Sequence, residues 1–136
     1  VNEIELIEGL LTAMVGGISQ QHRSNIRERN RAMSRVIQRM RECPDENISI
    51  SEFCKDASVS LRTLERAFME KFGIGPKTYY TRLRLSRART LIINYRGEIP
   101  ITEAANSFGF WHMGQFAKDY RLLFGELPSE TLERNL

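Results

Sequence analysis

SISEFCKDASVSLRTLERAFMEKF fills residues 49–72, and ITEAANSFGFWHMGQFAKDYRLLF fills residues 101–124. Both stretches share one grammar: a short capped helix with small residues inside, a turn of about four residues, and a longer helix with aromatic anchors. In the first, Ile50, Phe53, Cys54 and Ala57 turn inward, and Ser60 caps a helix whose apolar stripe is Leu61, Leu64, Phe68 and Phe72. In the second, Thr102 opens the short helix and Gly109 closes it, while the segment from His112 to Phe124 buries Phe116, Tyr120 and Leu123. This is helix-turn-helix grammar written twice. Such a unit packs its apolar stripe on the first helix and presents a polar stripe to the major groove of a duplex.

Between the two units, Gly73-Ile74-Gly75-Pro76 ends one helix with glycine and starts the next with proline. The helix that follows, from about Lys77 to Asn94, is predicted to be about 27 Å long. With its flanking turns it approaches the roughly 34 Å of one duplex turn, so both heads are expected to enter successive major-groove segments on one DNA face. Upstream, Met33, Val36, Ile37 and Met40 predict a helix from about Arg31 to Cys43, ended by Pro44-Asp45. Ile4, Ile7, Leu10, Leu11, Met14 and Val15 predict an earlier one, stopped at Gly16-Gly17, with residues 18–30 a polar linker, either irregular or helical. Pro128-Ser129 opens a last short helix, and no stretch alternates as a strand. The expected class is all-α: two helix-turn-helix subdomains joined by a long linker helix, preceded by an N-terminal helix and an Arg-rich linker. The expected division is residues 1–31 and 32–136.

The 136 residues suit one domain, or two very small ones sharing a core, and exclude a cofactor barrel of about 250 residues. Apolar residues at 41% and charged ones at 27% mark a soluble globular composition. No apolar run approaches the roughly 20 residues a bilayer requires, and no leader pattern is visible, so a cytoplasmic, membrane-free protein is expected. Because the first residue is Val1, the sequence is expected to be a piece of something longer. Charge is segregated: −3 over residues 1–22, +6 over 23–41, −4 over 42–61, +7 over 62–96 and −3 over 97–136, for a net +3. Two basic blocks among acidic ones point to a polyanion partner. Sixteen of the twenty cations are arginine, the side chain suited to forked recognition of phosphates and base edges.

Residues 32–135 resemble the C-terminal DNA-binding domain of AraC/XylS-type transcriptional regulators. The resemblance rests on Val59-Ser60-x-x-x-Leu64-x-Arg66-x-Phe68, Gly73-x-Gly75-Pro76-x-x-Tyr79 and Arg84-Leu85-x-x-Ala88. It continues through Ile101-Thr102-Glu103-x-Ala105, Gly109-Phe110, Phe116, Tyr120, Phe124-Gly125 and Pro128. The run from Gly109 to Phe116 is most similar to the branch containing ethanolamine-operon activators. The resemblance implies seven helices, double-stranded promoter DNA and RNA polymerase as partners, and no enzymatic activity. It also implies base-reading positions at Arg62, Glu65 and Arg66 in the first head, and at Met113, Gly114, Ala117 and Lys118 in the second. The outward stripe of the first head adds Met69. The second stripe has far fewer hydrogen-bonding groups, so the first head is expected to supply most of the specificity.

Arg23, Arg27, Arg31, Arg35 and Arg39 form a ladder at intervals of four, with Arg29 and Arg41 beside it. Like charges so spaced repel along a helix, and only Glu28 and Glu42 offer local relief. An anion would complete the arrangement. One reading is a solvated linker or plain contact with the DNA backbone. The other is an effector site at Arg23, Arg27, Arg31 and Arg35, because Arg27-x-x-x-Arg31 resembles the clamp by which PilZ receptors hold cyclic di-GMP; the partial downstream matches, Asp56-Ala57-Ser58 and Asn47-Ile48-Ser49, lack that element's glycine. The first apolar helix fits a homodimerisation segment or a dock for a sensory domain.

Catalytic and metal chemistry find little support. His22 and His112 have no Ser, Cys or acid constellation around them in sequence, and Cys43 and Cys54 lack ligand spacing and read as small core residues in a reducing compartment. Gly73 to Thr78 fails as a phosphate loop because Pro76 removes a backbone donor. Trp111 has two readings, contact with DNA and, as the expected one, a staple at the start of its helix. The competing class is an enzyme or a helical protein-interaction module.

Overall fold

The computed structural model describes residues 3–136, and the side chains of all of these except residues 12–22. Among them every regular element is helical: α1 (Glu3–Glu42), α2 (Ile50–Asp56), α3 (Leu61–Phe72), α4 (Pro76–Tyr95), α5 (Ile101–Asn106), α6 (Met113–Phe124) and α7 (Pro128–Arg134). The expected all-α class with two helix-turn-helix units is what forms.

The two units are built alike down to their hydrogen bonds. In the first turn Val59 N–H donates to Cys54 O, and in the second Phe110 N–H donates to Ala105 O, each at 3.0 Å. Each turn passes through the left-handed region, at Ser58 with φ 52° and at Gly109 with φ 80°. Each longer helix ends on a left-handed glycine, Gly73 or Gly125, whose N–H returns to a helical carbonyl. Leu64, Phe68 and Phe72 thus correspond to Phe116, Tyr120 and Phe124, 52 positions on. The second turn carries one residue more, Trp111.

Two cores flank α4. Ala32, Met33, Val36, Met40, Phe53, Leu64 and Phe68 pack the first, which Tyr80 closes from α4. Leu85, Ala88, Ile92, Ala104, Ala105, Phe116 and Tyr120 pack the second. Tyr80 and Arg84, one turn apart on α4, bind the two halves together. Tyr80 sits edge-on to Phe53 at 5.1 Å and its hydroxyl donates to the carbonyls of Cys43 and Glu46. Arg84, buried, lies over the Tyr80 and Phe110 rings, and its Nη1 donates to Phe108 O at 3.0 Å. Its Nε has no partner among the described residues, and burial pulls its affinity for the proton down. A Cβ on Gly109 would meet Arg84 Nη1 at 3.1 Å and Asn47 at 3.3 Å. The heads therefore meet through Asn47, Arg84 and Gly109, and α4 is a shared wall rather than a bare rod between isolated probes.

Several expectations are corrected. α1 is one helix of 40 residues: Gly16-Gly17 does not stop it, and residues 18–30 take the helical alternative as part of it. Glycine weakens a helix by about 1 kcal/mol per residue but keeps its N–H donor, so it does not terminate one as proline does. The boundary expected at Arg31 lies within this element. Pro100, not a side-chain cap from Thr102, precedes α5, because the Glu103 and Ala104 amides reach Pro100 O. Leu61 is 46% exposed and Phe72 37% exposed, although Phe72 still stacks on Tyr79 at 4.8 Å; Leu123 is half-buried. Trp111, 69% exposed, staples nothing, because the extra residue of its turn carries the indole away from the core. The Met14, Val15 and His22 side chains lie outside those described.

Candidate nucleic-acid interface

The first head positions its polar stripe by two local devices. Ser60 Oγ accepts from Thr63 N–H at 3.1 Å, capping α3, and Leu64, Ala67 and Phe68 bury the opposite face. Arg62, Glu65, Arg66 and Met69 are consequently all exposed together on the outer side. Neither Arg62 nor Arg66 has a carboxylate partner among the described residues. Burial, and next the Glu65 carboxylate, push the Cys54 thiol upward, so it stays a neutral core group. Cys43 is half-buried and likewise free of any disulfide.

The second head is smoother. Gly114 and Lys118 are exposed, and Met113 and Ala117 half-buried, with no side-chain cap at His112. Nothing lies within 4 Å of a Cβ placed on Gly114. Trp111 stands exposed beside this face. Of the two sequence readings of Trp111, stapling the helix and touching DNA, its exposure removes the first; the signal against stapling was that the second turn is one residue longer than the first. Behind the face, Tyr120 donates to Thr131 Oγ1 at 2.7 Å, and Thr131 in turn donates to Glu126, tying α6 to α7. Glu126 also pairs with Arg134. Arg89 lies over the Phe124 ring at 5.1 Å, covering the end of α6.

The arginine ladder divides in two. Arg29 pairs with Glu70 on α3 at 2.6 Å, and Arg39 with Asp56 on α2 at 3.3 Å; these clasp α1 to the first head. Asp56 is thereby engaged structurally, and Ser58 shapes the turn. Arg23, Arg27, Arg31 and Arg35 are exposed and have no carboxylate partner among the described residues. Arg31 and Arg35 line a groove of about 730 Å³ whose other wall holds Arg62 and Arg66 and whose floor is the turn Ala57–Ser60. Arg27, Arg31 and Arg35 also border a shallower depression along α1 with Asn30 and Ser34. No group of three or more metal-ligating side chains occurs among the described residues, and no helix there is long and apolar enough to cross a membrane.

The helix-turn-helix domain family matches residues 53–134. The chain is 36% identical over 115 residues to a XylDLEGF operon transcriptional activator 2 of Pseudomonas putida, covering 84% of this chain and 73% of that one. A longer XylDLEGF operon transcriptional activator of the same organism is 35% identical over 130 residues, 95% of this chain but 40% of its own length. The chain thus spans about two-fifths of the first relatives it matches. Among solved structures, a probable AraC family transcriptional regulator from Rhodopseudomonas palustris superimposes with a TM-score of 0.71 at 34% identity, over 77% of this chain and 97% of that one. An AraC-type regulator from Chromobacterium violaceum gives 0.70 at 28%, over 78% and 93%. These relatives are transcription regulators rather than enzymes. Their coverage, the twofold turn geometry and the exposed stripe of α3 together place this chain in the AraC/XylS family of DNA-binding transcription regulators.

Proposed function

We propose that the chain is the promoter-reading part of a transcription activator, acting on double-stranded DNA in the cytoplasm and working through RNA polymerase. The observation that carries this reading is the face of α3, where Arg62 and Arg66 stand exposed beside Glu65 without carboxylate partners of their own. Arginine forks pair with guanine O6 and N7 in the major groove, so the first head supplies most base discrimination. Met113, Gly114, Ala117 and Lys118 of the second head, flanked by Trp111, contribute apolar contact with thymine methyls and one phosphate contact. α4, 20 residues and so about 30 Å long, sets the heads near one duplex turn apart. Similarity to activators supports activation over repression, and the run from Gly109 to Phe116 supports a place beside the ethanolamine-operon branch. The exposed row Ile4, Ile7, Leu10 and Leu11 supports a homodimer on paired half-sites.

Selection of duplexes from a randomised pool, followed by fluorescence anisotropy, tests the reading. A selected site bound with steep salt dependence is expected. Arg66→Ala weakens that site by about 1–3 kcal/mol, or about five-fold to more than a hundred-fold in Kd. Unchanged affinity would remove the base-reading assignment.

A second reading makes Arg23, Arg27, Arg31 and Arg35 the seat of a cyclic dinucleotide effector. It is supported by the depression along α1 in which three of them gather. Calorimetry with cyclic di-GMP decides it: saturable heat in wild type that disappears in Arg31→Ala supports the seat, and no heat rejects it.

A further inference from the structure

We infer that the groove between α1 and α3 is a clamp for the phosphodiester backbone of the DNA strand that borders the major groove read by α3. The inference rests on the proposed DNA-reading function and adds to it a third contact element, the middle of α1. Five arginines line this groove of about 730 Å³: Arg29 is paired with Glu70, and four others, Arg31 and Arg35 on one side and Arg62 and Arg66 on the other, stand around it. None of the four has a carboxylate partner among the described residues, whereas Arg29 and Arg39 of the same helix are neutralised by Glu70 and Asp56. Two members of the ladder, Arg31 and Arg35, thus face the groove uncompensated, and Glu28 is the one acid in its lining. Repulsion between Arg31 and Arg35, one turn apart on α1, is relieved when an anion sits between them. The N-terminal turn of α3 opens into the same groove at Ser60, Arg62 and Thr63, adding the positive end of a 12-residue helix.

An extended strand fits better than a small ligand. The groove is an open trough, and its second wall is made by the arginines that face the bases. A strand lying in it continues directly into the major groove. A compact ligand lodged there would instead hold Arg62 and Arg66 away from DNA.

The test uses the 136-residue chain and a duplex selected as above, with anisotropy titrations across a salt series. Each phosphate contact releases about 0.9 counterion, so Arg31→Gln with Arg35→Gln is expected to lower the slope of log K against log salt by about 1.8. At 0.1 M salt the same change weakens binding at least about tenfold, by equal factors on selected and scrambled duplexes. Arg39→Gln, which removes one positive charge outside the groove, is expected to leave the slope as it is. Matched far-UV circular dichroism melts confirm that the variants fold. The inference is overturned by an unchanged slope in the double variant, or by an Arg39→Gln loss as large as half that of the double variant. It is also overturned if cyclic di-GMP gives saturable heat that the double variant abolishes, for the groove then serves a free phosphodiester. Failure of wild type to bind any duplex would instead reject the proposed function itself.

Discussion

Gly109 and Gly114 are close in sequence and answer to opposite demands. Gly109 has φ 80° and no room for a Cβ, with Arg84 Nη1 at 3.1 Å and Asn47 at 3.3 Å. Gly114 is helical, with open space around it. Gly109→Ala is therefore expected to destabilise the fold by about 2 kcal/mol or more, combining left-handed strain with a clash. Gly114→Ala is expected to stabilise it by about 0.5–1 kcal/mol, since glycine within a helix costs that much relative to alanine. Urea denaturation of both variants checks the pair, and equal effects of one sign would contradict it. The buried phenols make a second residue-level prediction. Burial is the first cause that raises Tyr80 and Tyr120 above the ordinary tyrosine value of 10.0, and it raises the Cys54 thiol above 9.0. For an acid raised on folding, stability is complete below the unfolded value and is lost as pH climbs through the folded one. The urea midpoint should thus hold from pH 7 to about 9 and fall above about 10. Tyr80→Phe with Tyr120→Phe should flatten that fall; an equally steep loss in the double variant would refute the assignment.

At the scale of elements, α1 does two jobs along its length. Its C-terminal part buries Ala32, Met33, Val36 and Met40 in the first core. Its N-terminal part presents Ile4, Leu6, Ile7, Leu10 and Leu11 to solvent, each more than half exposed. Side chains more than half exposed add little to folding. A chain beginning at residue 12 is expected to keep its unfolding free energy within about 0.5 kcal/mol of the full chain at low protein concentration, as equilibrium urea unfolding would show. A larger loss would mean that this row packs on the domain. The interior of α1 also explains why its sequence misled. A polar stretch preceded by two glycines reads as a linker when each residue is judged alone, yet Arg29 to Glu70 and Arg39 to Asp56 hold the second half of α1 on α3 and α2. Those partners are 41 and 17 positions away, beyond any local pattern.

At the scale of the molecule, the coupling of the two heads passes through Arg84. Its stacking between Tyr80 and Phe110 and its bond to Phe108 O join the first core to the second turn. Arg84→Ala is expected to cost about 2–4 kcal/mol through lost packing and hydrogen bonding to a charged donor. Arg84→Lys recovers little, lacking the planar fork. Hydrogen exchange should then show α5 and α6 opening before α2 and α3, whereas wild type is expected to open both together; joint opening in both proteins would place the coupling elsewhere. Local pattern alone was enough to establish the all-α class, the doubled helix-turn-helix, the Ser60 cap, the glycine stop at Gly73, and the outward stripe of α3. Each of these depends on residues within one or two turns of one another, where apolar spacing and capping chemistry act directly. Tertiary structure alone decided that α1 is unbroken, that Trp111 stands free, that the heads touch at Gly109 and Asn47, and that Arg31 and Arg35 share a groove with Arg62 and Arg66. Those outcomes depend on which distant surfaces meet and which charges find partners there, and residue spacing along the chain carries no record of either.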